Sequence, residues 1–150
     1  MFLGTYRHSV DQKGRVAIPA RFREQLPTGT IISKGAEGCL QVYPPEEWAK
    51  EQGVQRLGSM TPAEERRLAR MMFGAARECE FDAQGRIVLT QDQRDYAGIS
   101  GQDWIVGVNN LIEIWNDEAW RRIGGATPEE STRIPEQVAE RRRAGGEYLR

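Results

Sequence analysis

Two short segments carry the residues most suited to chemistry: Asp11-Gln12-Lys13-Gly14-Arg15 and Asp82-Ala83-Gln84-Gly85-Arg86. Each places an aspartate four positions ahead of an arginine, with a glycine just before the arginine. An aspartate beside a turn bonds local backbone, and glycine admits a positive φ, so Asp11, Gly14, Asp82 and Gly85 read as turn-forming residues. The arginines are then displayed at hairpin turns. A planar guanidinium there has two kinds of target: a carboxylate, including Asp11 or Asp82 across its own hairpin, or the O6 and N7 acceptors of guanine in a DNA major groove. Lys13 offers a flexible point charge suited to phosphate. Gln84, at the matched place, suits adenine or the DNA backbone.

The chain as a whole carries a formal net charge of -1, which taken alone argues against nucleic acid. The charge is unevenly spread. From Arg7 to Arg23, the five cations Arg7, Lys13, Arg15, Arg21 and Arg23 meet only Asp11, so that stretch is four charges positive. From Arg77 to Arg94 the balance is minus one. A local patch governs binding, so the first turn is expected to hold DNA more strongly, with Arg15 contributing more than Arg86. The candidate DNA contacts are Arg15, Arg86, Lys13, Gln84, Arg7, His8, Arg21 and Arg23. For His8 the plainer role is packing.

Catalysis finds little support. There is no glycine-rich dinucleotide motif, no P-loop lysine, no serine elbow and no metal-ligand cluster. The chain has one histidine, and Cys39 and Cys79 stand forty residues apart, so they read as plain buried thiols. No cofactor, metal or small-molecule substrate is expected. A hydrophobic share of 39% and a charged share of 29% describe an ordinary globular chain. Met1 to His8 meets charge too early for a signal peptide, and no apolar run reaches membrane-spanning length, which predicts a cytoplasmic protein.

The elements that must position the two turns come from a repeat. The segment Asp11 to Ile18 is echoed by Asp82 to Leu89 at an offset of 71 residues. Leu40-Gln41-Val42-Tyr43, followed by Glu46 and Trp48, is echoed by Ile112-Glu113-Ile114-Trp115, followed by Glu118 and Trp120, at an offset of 72. The chain is a tandem duplication. The units are placed at 1–55 and 76–125, with a connecting helix over 56–75 and a polar, mobile or weakly helical tail over 126–150.

Within each unit the turn leads into a strand and then a short helix. Pro19 is suited to the first helical position, with Phe22 and Leu26 on the buried face. Thr90 and Gln93 form a capping box, and Gly98 supplies the stop. A second hairpin follows, with strands at 30–33 and 40–43 in one copy and 104–108 and 111–115 in the other. Thr61 starts the connecting helix, whose stripe of Leu68, Met71 and Met72 is expected to cover the body. Trp48, Trp104, Trp115 and Trp120 read as core or interface aromatics.

One unit of this size has too few strands to bury both faces. The two copies are therefore expected to interdigitate about a pseudo-two-fold axis into one small barrel with peripheral helices, an α+β fold that is mostly β. Both turns are expected to emerge on one face. The starting Met1-Phe2-Leu3 and the Met71-Met72-Phe73 cluster are candidates for subunit contact, with simple core packing as the alternative for each.

The D-x-K-G-R-x-x-I-P segment followed by a short amphipathic helix resembles the AbrB-like swapped-hairpin DNA-binding fold. Two copies in one chain, opening H-S-x-D-x-K-G-R-x-x-I-P-A-x-F-R from His8 to Arg23 and E-C-E-x-D-x-Q-G-R-I from Glu78 to Ile87, are similar to the MraZ family. The resemblance implies a nucleoid-associated transcriptional regulator, a repressor, that binds double-stranded DNA at short tandem repeats upstream of the division and cell-wall gene cluster. It also implies a ring-shaped homo-oligomer, with Arg15, Arg86, Lys13 and Gln84 at the DNA-contact positions. The competing readings are an antitoxin-like protein-binding module and a purely structural ring protein.

Overall fold

The fold is seen in a computed structural model that describes residues 1–54, 60–125 and 127–145, the side chains of 52–54 excepted. In the first repeat it contains β1 (Phe2–Ser9), β2 (Arg15–Ala17), helix α1 (Ala20–Arg23), β3 (Ile31–Lys34), β4 (Leu40–Tyr43) and α2 (Pro45–Val54). A connecting helix α3 (Pro62–Phe73) leads to β5 (Arg77–Glu78), β6 (Arg86–Val88), α4 (Gln91–Ala97), β7 (Gln102–Asn109), β8 (Ile112–Asn116) and α5 (Asp117–Ala119). A π-helical turn, Trp120–Gly124, and helix α6 (Pro128–Gly145) end the described chain.

The architecture is α+β. Six strands form one antiparallel sheet in the order β1-β7-β8-β4-β3-β5, and β2 and β6 form a separate two-stranded ribbon. Every described strand of one repeat is bonded to a strand of the other: β1 to β7, β2 to β6, β3 to β5 and β4 to β8. The register is symmetrical as well. Gln41 lies opposite Glu113, and Val16 lies opposite Ile87, so matching residues of the two copies face each other at both places. A pseudo-two-fold axis passes through the two pairs.

The barrel expected from sequence does not close. β1 and β5 remain the two edges of the sheet. β5 is only two residues long, and the ribbon pairs with the segments that precede each turn through isolated bridges, Val10 to Val16 and Phe81 to Ile87, rather than through a continuous ladder. A strand that short cannot carry a ladder around to the opposite edge.

Both repeats contribute to one core. Val16, Ile18, Phe22, Ile32, Leu40 and Val42 pack with Ile87, Leu89, Ile99, Ile105, Ile112 and Ile114 in a single buried cluster. Each large aliphatic side chain buried there stabilises the fold by about 1.5–3 kcal/mol. A smaller cluster on the sheet gathers Cys39, Val106 and Trp115, with Trp104 and Trp120 against it. Trp48 packs edge-on against Tyr43 and Phe73.

Local signals act as their chemistry dictates, with three adjustments. Thr90 accepts the Gln93 N–H while Gln93 returns a bond to the Thr90 N–H, and Gly98 ends α4. Thr61 and Glu64 make the same box at the start of α3. Pro19, however, caps α1 from outside rather than occupying its first turn. The helix α3 touches the sheet chiefly through its end: Ser33 Oγ donates to the Met72 carbonyl at 2.6 Å, while no α3 residue is buried. Phe2, a candidate for subunit contact or for the core, belongs to the core, where its ring meets Phe22 edge-on at 5.5 Å. The tail is an 18-residue helix over 128–145, with none of its residues buried. Residues 55–59, 126 and 146–150 of the linker and tail assignments lie outside the described residues.

Candidate nucleic-acid interface

The two turns have the same internal architecture. Asp11 Oδ1 accepts the backbone N–H groups of Lys13 (3.0 Å) and Arg15 (2.9 Å), and Oδ2 accepts Arg15 Nε at 2.6 Å. Asp82 Oδ1 accepts those of Gln84 and Arg86, both at 2.9 Å, and Oδ2 accepts Arg86 Nε at 2.6 Å. The backbone can close so tightly because Gly14 and Gly85 take φ of +78° and +77°. The Arg15 N–H and then its guanidinium hold the Asp11 carboxyl below the usual carboxylate range, and Arg86 does the same for Asp82.

The arginines are thus ion-paired across their own hairpins, as one of the sequence readings had it. The clamp uses only Nε. The Nη groups of Arg15 have no partner among the described residues, and those of Arg86 reach Gln84 Oε1 at 3.3 Å and Asp11 Oδ2 at 3.7 Å. The side chains of Arg15 and Arg86 are 31% and 27% exposed. Clamping one edge of a guanidinium orients it while leaving donors for a second, planar partner.

The structure brings together Asp11, Lys13, Gly14 and Arg15 with Asp82, Gln84, Gly85 and Arg86. Lys13 and Gln84 are exposed at matching tips. Arg23 joins them, since its Nη1 donates to the Gln84 carbonyl at 3.2 Å. Arg21 is exposed on α1, and among the described residues nothing ties its side chain to a turn. Arg7 is engaged elsewhere: its Nη2 lies 3.5 Å from Asp117 and its guanidinium 5.3 Å from the Trp104 ring centre. His8 is half-buried opposite Asp103, and burial lowers its pKa, which favours the neutral ring and disfavours a phosphate role.

One residue of the site escaped sequence reasoning. A Cβ built on Gly14 stands 2.9 Å from Arg94 Nε, and one built on Gly85 stands 2.6 Å from Arg23 Cδ. Arg94 and Arg23 occupy matching places 71 residues apart, so the repeat alignment held the signal. Cys39 and Cys79 are free thiols, and burial pushes Cys79 up to about 12. Among the described residues, no group of three or more acidic, histidine or cysteine side chains is arranged to hold a metal, and no helix is long and apolar enough to cross a membrane.

These features define a class: a duplicated α+β protein whose two copies pair across a pseudo-two-fold axis and set two arginine-bearing turns beside each other. A family model described as "MraZ protein, putative antitoxin-like" matches residues 1–70 and again 72–142, and the chain belongs to the MraZ family. It is 40% identical over 140 residues to a protein of Desulforamulus reducens, covering 93% of this chain and 99% of that relative. A relative from Moorella thermoacetica is 39% identical over 140 residues, covering 93% and 98%. One from Acetivibrio thermocellus is 40% identical over 139 residues, covering 93% and 97%. All three are named "Transcriptional regulator MraZ".

Proposed function

We propose that the chain is a sequence-specific, DNA-binding transcriptional regulator, a repressor of the division and cell-wall gene cluster, that reads short tandem repeats with its two turns. The observation that carries this reading is the antiparallel ribbon of β2 and β6, which brings Arg86 Nη1 within 3.7 Å of Asp11 on the other turn. Two adjacent turns, each with an oriented guanidinium, suit the width of a DNA major groove. Arg15 and Arg86 face guanine, Lys13 contacts phosphate, and Gln84 contacts adenine or backbone. The cross-repeat pairing of every described strand favours a swapped-hairpin description of the two units, bounded at 1–55 and 76–125. The names of the relatives point the same way and give no support to catalysis.

The regulator acts at the nucleoid, in the cytoplasm, as a ring of identical subunits. Met1 and Leu3 are 75% and 61% exposed at the β1 edge, and Leu3 pairs in register with the exposed Val108, which makes this edge the favoured subunit contact. A ring engages several repeats at once and so multiplies a weak single contact.

The test is a titration of wild type and Arg15→Ala against duplexes carrying the cluster's upstream repeats and against shuffled duplexes, over a salt series. Selective, salt-dependent binding that Arg15→Ala loses supports the reading. Equal affinity for both duplexes reduces it to nonspecific DNA binding. The solvent-facing helix α6 favours a protein-binding role of the antitoxin kind as second reading, and a wild type that binds no duplex at any salt would leave that one standing.

A further inference from the structure

The clamps that orient Arg15 and Arg86 also cancel their charge, since each guanidinium has a carboxylate at 2.6 Å. The positive charge that a phosphate backbone requires must then come from other cations near the turns. Lys13 is one. The other two are Arg23 and Arg94, and neither has a carboxylate within 4.0 Å among the described residues.

These two arginines are wired crosswise. Arg23 belongs to the first repeat, yet it lies against Gly85 and donates to the Gln84 carbonyl, both in the turn of the second. Arg94 belongs to the second repeat, yet its Nε and Cζ lie 2.9 and 3.1 Å from where a Gly14 Cβ would stand, in the turn of the first. Its Nε is buried without a hydrogen-bond partner among the described residues. The residue also lines an open cavity of about 450 Å³ with Asp11, Gln12, Gln91 and Asp95. The two carboxylates of that cavity are already engaged: Asp11 by Arg15 at 2.6 Å and Asp95 by Gln91 Nε2 at 2.7 Å. The Arg94 guanidinium is the lining cation without such a partner.

We propose that Arg94 is a DNA-phosphate contact of the first turn, beside Lys13, as Arg23 is of the second, so that each turn takes an uncompensated positive charge from the other repeat. This rests on the DNA-binding reading above and adds to it. The crossing changes which residues act together: Arg94 works with Arg15, and Arg23 with Arg86, although each pair is split between the two copies. Local charge counted along the sequence assigns these arginines to the wrong turns.

The probe is a random-sequence DNA duplex, because a phosphate contact does not depend on the bases. Arg94→Gln is expected to lose roughly three- to tenfold in affinity and to flatten the salt dependence by about one unit of log-log slope. Arg94→Lys, which keeps the charge, should restore most of both. In double-mutant cycles Arg94→Gln should couple to Arg15→Ala and be additive with Arg86→Ala, with the reverse pattern for Arg23→Gln. The Arg23 arm also settles the wiring should Arg94→Gln fail to fold. Wild-type binding with an unchanged slope in Arg94→Gln, failure of Arg94→Lys to restore it, or coupling that follows the sequence overturns this proposal alone. Absence of any wild-type binding overturns the DNA-binding reading and this proposal together.

Discussion

The guanidinium of Arg86 lies 3.7 Å from the carboxylate of Asp11, so the acid of the first turn touches the arginines of both. Among the described ion pairs, Asp82 meets only its own arginine. The two acids are therefore unequal despite their matched positions. Asp11→Asn removes the one carboxylate that reaches both guanidiniums, releasing Arg15 from its clamp and Arg86 from its second, longer contact. Affinity for a random duplex is expected to rise a few-fold while preference for the specific repeats falls. Asp82→Asn should change both quantities less, as paired titrations on the two duplexes would reveal.

The two arginines are expected to differ in weight. Lys13 reinforces the first turn where the second has the uncharged Gln84. Arg15→Ala should cost about 1–3 kcal/mol of binding to the specific repeats, with a smaller loss for Arg86→Ala. Equal losses in side-by-side titrations would count against the asymmetry.

The glycine of each turn answers to the arginine of the other repeat. At Gly85 a new Cβ meets Arg23 Cδ at 2.6 Å and Cζ at 3.0 Å, on a backbone with φ of +77°. Gly85→Ala should therefore destabilise by about 2 kcal/mol or more. In an Arg23→Ala background the steric part disappears, leaving the backbone part of about 1–2 kcal/mol. Urea denaturation of the four proteins of this cycle measures the difference, and strict additivity would sink the close contact.

Because Val16 and Ile87 meet at the pseudo-two-fold axis and are wholly buried, the core belongs to neither repeat. Ile87→Ala should cost about 2–5 kcal/mol. A fragment holding the first repeat alone, residues 1–54, should show no cooperative thermal transition by circular dichroism, since every one of its strands loses a partner.

Asp103 gives the fold a pH dependence. It is 1% exposed on β7, between His8 and Asn116 of the neighbouring strands, and neither of its carboxylate oxygens has a partner among the described residues. Burial, aided by the Asp117 carboxylate, pushes it up to about 7 from an ordinary 3.8. The folded state then holds the proton more tightly than the unfolded chain. The stability this gives is complete below the unfolded value and is lost as the pH rises through about 7. The neutral His8 ring brings no cation to offset the loss. Asp103→Asn should raise the melting temperature more at about pH 8 than at about pH 5, and a pH-independent difference between the two proteins would refute the assignment.

Much of this was legible in the sequence where the cause is local. The turns, their positive-φ glycines, the capping boxes at Thr61 and Thr90 and the second hairpin of each repeat depend on residues a few positions apart. What depends on distant neighbours was not. β1, reading Phe2-Leu3-Gly4-Thr5-Tyr6-Arg7-His8-Ser9, has no clean apolar alternation, and β7 makes it a strand. For the same reason the sequence left Phe2 open between the core and a subunit contact, and the sheet was misread as a closed barrel. Arg94 reaches its turn only through the crossing of the repeats, which no local pattern encodes.

The matched but unlike tips of the two turns, Lys13 and Gln84, give the molecule a head and a tail. A pair of identical single-repeat chains joined about the same axis would look the same from either end and would suit a palindrome. Fusing two copies that have since diverged breaks that equivalence. On the proposed reading, successive molecules can all point the same way along a duplex, and an array of direct repeats, which itself has a direction, demands a reader with that property.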